Sequence, residues 1–138
     1  MIRKIIFAAL LSLPLIGSAE DLAIIASKSS PVSQLSDAEA QQLFSGQLRS
    51  LNGQAVQTLD LPSGDSDRNA FYQQLLGRSP DQMRSHWARL IFTGKARPPR
   101  EVTSTGEMLS LVAGSADIIG YIPASAVSDK VKVLRMVK

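Results

Sequence analysis

Six consecutive residues, Ser63, Gly64, Asp65, Ser66, Asp67 and Arg68, are the part of this chain best equipped for chemistry. Hydroxyls and a guanidinium donate hydrogen bonds and can hold a small oxyanion, whereas ionised carboxylates only accept and oppose one. The run follows residues 55–61, apolar and β-tolerant enough for a strand with Val56, Leu59 and Leu61 inward. Pro62 and Gly64 break that pattern. Ala70, Phe71, Leu75 and Leu76 then recur at helical spacing until Gly77 stops the helix. A strand, a tight loop and a helix start in this order aim free backbone N–H groups and a positive dipole end at whatever lies above the loop. In α/β folds that is where small anions bind. The competing reading is that Asp65 or Ser66 simply caps the helix, which needs only the cap preferences of those residue types.

Other candidates are fewer. Ser104 and Thr105 stand at a second helix start and could contribute to the same anion. Asp65 and Asp67 could pass for a general acid–base pair, but capping acids explain them more simply. The single His86 lies beside an apolar stripe and reads as a structural residue. No serine or acid context makes it part of a nucleophile–base pair, so no enzyme is expected. With no cysteine and one histidine, no metal site and no cofactor are expected. The basic, proline-stiffened run from Lys95 to Arg100 reads as an exposed arm, a solvated surface or a dock for an acidic partner.

The first nineteen residues read as a secretory leader, with Arg3 and Lys4 as its basic start and Ile5 to Ile16 as its apolar stretch. Small residues Gly17 and Ala19 occupy the positions a signal peptidase reads. The stretch is short for a membrane span and is broken by Pro14. The expected product is an exported, periplasmic protein of residues 20–138 with no further membrane insertion. Without Arg3 and Lys4 the net charge falls from +3 to +1, which removes the case for nucleic-acid binding.

The elements that must position the loop alternate in type. Leu22 to Ala26 fits a strand buried on both faces. Three capping boxes, Ser36 with Glu39, Ser79 with Gln82 and Ser104 with Glu107, predict three helix starts. Gly46 supplies a left-handed stop and Asn52-Gly53 a turn. Met83, Trp87, Leu90 and Ile91 line one helical face and are expected in the core with Phe44, Phe71, Ile119 and Ile122. Residues 117–122 read as a buried strand in which Gly120 allows close approach, and Val131 to Leu134 as a last strand. The alternation predicts one layered α/β domain with a largely parallel sheet flanked by helices.

Several segments together resemble the phosphate-binding proteins of ABC transporters. They are residues 31–36 with Leu43-Phe44-Ser45-Gly46, the loop from Leu59 to Phe71, and Ile118-Ile119-Gly120-Tyr121-Ile122. Phe92-Thr93-Gly94-Lys95 and Arg97-Pro98-Pro99 resemble a shorter, exported subgroup with the same order. The resemblance implies one lobe of a type 2 periplasmic binding protein, phosphate or another small oxyanion as ligand, and a transporter or another periplasmic protein as partner. The chain departs from the family at its loop, Arg-x-Asp-Gly-Ser-Gly-Thr with Phe four residues on. Anchored on Phe71, Leu61 replaces the Arg, Ser63 the Asp, and Asp65, Ser66 and Asp67 the Ser-Gly-Thr, while Gly64 matches. The family's opening Ser/Thr-Gly-rich segment is also missing.

Two functions follow. One is an exported solute-binding-like protein that holds an oxyanion with Ser63, Ser66, Arg68 and backbone N–H groups, helped by Ser104 and Thr105. The other is a periplasmic interaction module that kept the fold, lost the anion site and docks a partner through the basic arm.

Overall fold

The computed structural model describes residues 20–138. The leader read at residues 1–19 lies outside them. Five strands form the central sheet: β1 (Leu22–Ser27), β4 (Gln57–Asp60), β5 (Arg100–Glu101), β6 (Ile118–Pro123) and β7 (Val131–Val137). Between β1 and β4 come helix α1 (Asp37–Phe44) and a small hairpin of β2 (Ser50–Leu51) and β3 (Gln54–Ala55). Helices α2 (Ser66–Leu76) and α3 (Pro80–Phe92) link β4 to β5, and α4 (Thr105–Ala113) links β5 to β6.

The sheet order is β5-β4-β6-β1-β7. β4 runs parallel to both β5 and β6, while β1 is antiparallel to both β6 and β7. Four of the five strands therefore share one direction and β1 opposes them, so the sheet is mixed but mostly parallel. β1 is buried along its whole length, as its unbroken apolar run requires. The hairpin turns on Asn52 and Gly53, both at positive φ (51° and 79°), as a tight primed turn demands. It takes up the start of the strand expected over residues 55–61, and β4 proper begins at Gln57.

The helix starts form where their caps place them. Ser36 with Glu39 and Ser79 with Gln82 make reciprocal capping boxes. The third box is half made: Ser104 Oγ accepts from the Glu107 N–H at 3.1 Å, but the Glu107 carboxylate takes the Thr103 hydroxyl at 2.7 Å instead of reaching back. α4 packs on β6 because Gly120 has no side chain there; a Cβ would come within 3.1 Å of Val112.

An aromatic cluster joins the layers. The Phe71 ring lies flat on Tyr121, centroids 3.7 Å apart, and meets Phe44 edge-on at 4.8 Å. Trp87, Ile119 and Ile122 belong to the same core, and Leu90 packs against it. Ile91 does not: it is 54% exposed. It stands in the last turn of α3, where that helix runs past the packed layer and faces open grooves. His86 has the structural role expected of it, with Nε2 2.7 Å from the carbonyl of Ser45 at the end of α1.

Candidate functional site

β4 delivers its last residue, Asp60, to the sheet end from which the polar loop departs. Leu61 is fully buried, and Gly64 takes the positive φ (84°) that closes the turn. Asp65 is the N-cap of α2. Its Oδ1 accepts the N–H of Asp67 at 2.8 Å and that of Arg68 at 3.2 Å. Its own N–H donates to Pro62, and its carbonyl takes the first helical bond from Asn69. Of the N–H groups opening the helix, only that of Ser66 has no partner among the described residues. The negative charge favoured at a helix N-terminus is thus supplied by the chain itself. Burial, with Asp65 alongside, raises the Asp67 carboxyl above its ordinary value.

Beneath the loop lies a polar cluster that the residue pattern did not single out. Asp60 is 1% exposed. It accepts the Tyr72 hydroxyl at 2.8 Å and the Tyr121 hydroxyl, and Arg68 Nε stands 3.6 Å from it. Tyr121 in turn accepts the N–H of Leu61 at 3.3 Å. Arg68 Nη1 also donates to the Leu61 carbonyl at 3.0 Å and to Glu101. Burial pushes Asp60 up, against the pull of Tyr121, Arg68 and Tyr72. Burial and the Asp60 charge push both tyrosines well up. Burial pulls the Arg68 guanidinium down, but Asp60 and Glu101 outweigh it and hold it above its ordinary value. Arg68 is therefore the counter-charge of a buried acid, not an unengaged cation at the loop.

Ser63, Gly64 and Arg68 share one cavity of about 380 Å³, walled further by Tyr72, Trp87 and Glu101. Asp65, Ser66 and Asp67 do not line it. Neither do Ser104, the N-cap of α4, and Thr105, its first residue. The two helix starts do share one end of the sheet. Leu59 pairs with Arg100 and Asp60 with Glu101 in parallel register, and the Val102 N–H donates to the Asp60 carbonyl at 2.8 Å. The missed residues, Asp60, Tyr72, Tyr121 and Glu101, carried one signal: an acid set between two buried leucines has to find partners.

This arrangement, a mostly parallel sheet with helix N-termini and a polar loop at one end, has the fold of one lobe of solved solute-binding proteins. The chain matches solved structures of that class. An ABC-type phosphate transport receptor from Vibrio cholerae aligns over 84% of this chain and 46% of its own, at 20% identity and a TM-score of 0.66. A phosphate ABC transporter substrate-binding protein from Clostridium perfringens, described with bound phosphate, aligns over 84% and 44%, at 21% identity and a TM-score of 0.68. PstS from Borrelia burgdorferi aligns over 83% and 46%, at 14% identity and 0.64. The chain thus spans less than half the length of each. No protein-family model and no curated protein sequence matches it. The likeness shows the fold: a single lobe of a phosphate-receptor type of binding protein.

Proposed function

We propose that this chain is an exported, non-enzymatic relative of the phosphate receptors whose oxyanion seat is filled from within, so that it serves as a periplasmic interaction module and not as a phosphate carrier. The observation that carries this reading is the Asp65 carboxylate, bonded to the Asp67 and Arg68 N–H groups where an anion would otherwise sit. Arg68, the nearest cation, is engaged by Asp60 and Glu101. A bound oxyanion would meet a fixed negative charge and gain few new donors. Protein contact through the Lys95–Arg100 arm is then the function left to the fold.

The cavity beside Ser63, Gly64 and Arg68 favours a second reading, in which a small oxyanion enters there and the protein keeps a weak solute-binding role. Calorimetric titration of inorganic phosphate decides between them. The unmodified protein should bind at about millimolar or weaker. Replacing Asp65 with Ser and Asp67 with Thr restores hydroxyl donors and should strengthen binding. Micromolar binding by the unmodified protein overturns the first reading in favour of the second.

A further inference from the structure

We infer that the groove between the hairpin and the basic arm docks an acidic, apolar-anchored peptide segment of another protein; this deepens the interaction-module reading and rests on it. The groove has a volume of about 770 Å³. Leu43, Leu48, Val56, Trp87 and Ala96 give it an apolar lining, and Pro98 and Pro99 form a stiff wall that it shares with the smaller cavity beside Arg68. Ile91 also belongs to both cavities and is 54% exposed, so a large apolar side chain stands at the opening with nothing covering it.

The charge around this apolar lining has one sign. Arg49, Arg97 and Arg100 line the groove, and no acidic residue does. All three are exposed, and none is in an ion pair among the described residues. Arg49 is steadied by a hydrogen bond to the Lys95 carbonyl, which ties the arm to the hairpin side. The three cations therefore give the groove a local positive charge on a chain whose net charge without the leader is only +1. An apolar trough edged by unpaired guanidinium groups is complementary to carboxylates flanking a bulky apolar side chain, since arginine forks bind carboxylates bidentately. A flat anionic lipid surface would meet the arginines but could not fill the trough. A segment with an aromatic or leucine side chain between acids would do both.

Trp87 supplies the readout, because it is the only tryptophan and it lines the groove. The probe is a tryptophan-free synthetic decapeptide carrying Phe-Leu between runs of Asp and Glu, with an Asn/Gln version as control. The acidic peptide should shift Trp87 emission saturably, and raising salt from about 20 to about 300 mM should weaken it. The Arg97→Ser/Arg100→Ser protein should bind about tenfold or more weakly, and so should Ile91→Ser. These side chains are exposed, and unchanged circular dichroism confirms that each variant folds. Equal binding of the Asn/Gln peptide, no binding below about 1 mM, or indifference to the arginine replacements overturns the inference. So does arginine-dependent capture by phosphatidylglycerol vesicles without peptide binding, which would make the partner a membrane. Concentration-dependent self-association abolished by the same variants would make it a second copy and overturn the inference equally. Phosphate binding that responds to Asp65→Ser/Asp67→Thr and not to Arg97→Ser/Arg100→Ser reports on the loop, so the loop reading and the peptide groove fail separately.

Discussion

Arg68 Nε stands 3.6 Å from the carboxylate of Asp60, at the last residue of β4 and below the polar loop. One relationship thus removes Arg68 from the loop's surface chemistry and makes a buried acid tolerable. Without it, Asp60 would rely on the Tyr72 and Tyr121 hydroxyls alone.

The burial of Asp60 sets a pH dependence that the pairing opposes. Burial raises Asp60 in the folded state above the ordinary aspartate value of 3.8. The protonated form is favoured by folding, so the contribution is fully present below 3.8 and is lost as pH rises through the folded value. Asp60→Asn removes the titration and leaves one tyrosine hydroxyl badly paired. Its cost should be about 1–3 kcal/mol in acid and smaller at neutral pH. Urea titrations of both proteins across that range check the slope. A penalty that grows with pH would mean that Arg68 and the tyrosines outweigh burial.

At the loop, Asp65→Ala should cost about 1 kcal/mol, the usual value of a lost N-cap. Ser63→Ala should cost less than about 0.5 kcal/mol, because Ser63 is exposed and caps nothing. Denaturant titration of the pair tests whether Asp65 belongs to the helix or waits for a ligand. Equal, negligible costs would release its carboxylate from the capping role.

What could be read from the residues depended on how local the cause was. Ser36 with Glu39 and Ser79 with Gln82 close their boxes within four residues, so the pattern contains the whole interaction. β5 was invisible because Arg100 and Glu101 have no β character of their own; they become a strand by register with Leu59 and Asp60. The Asp60 cluster was missed for the same reason, since Tyr121 lies 61 residues away. Ile91 sits on the stripe with Trp87 and Leu90, but helical spacing does not say where the neighbouring layer stops. The polar run from Ser63 to Arg68 does lead from β4 into α2, as the order of residue types predicts, and the engagement of Arg68 by Asp60 and Glu101 was not foreseeable from the run itself.

Export makes its own prediction. If the chain is exported as proposed, the small residues at Gly17 and Ala19 predict a processed terminus at Glu20. Intact mass of the protein recovered from a periplasmic fraction should match residues 20–138. A full-length species in the membrane fraction would make the segment an anchor.

The last prediction concerns Gly46 and Trp87, which meet at the groove. Gly46 has φ 81°, and a Cβ there would lie 2.9 Å from Trp87 Cζ3 and 3.1 Å from Ala96 Cβ. Gly46→Ala should therefore cost about 2–4 kcal/mol, from left-handed strain together with overpacking. Trp87 is 6% exposed, so Trp87→Ala should cost about 3–5 kcal/mol through its cavity. In the double variant the indole is gone and the new methyl enters the space it leaves. Only the backbone strain and the Ala96 contact remain from the first change. The combined cost should fall short of the sum by about 1 kcal/mol or more. Reversible denaturant titrations of the four proteins close the cycle. Costs that add to within about 0.3 kcal/mol would mean that the Gly46 backbone and the indole do not touch. A cost for Trp87→Ala below about 1 kcal/mol would place the ring at the surface instead of in the core.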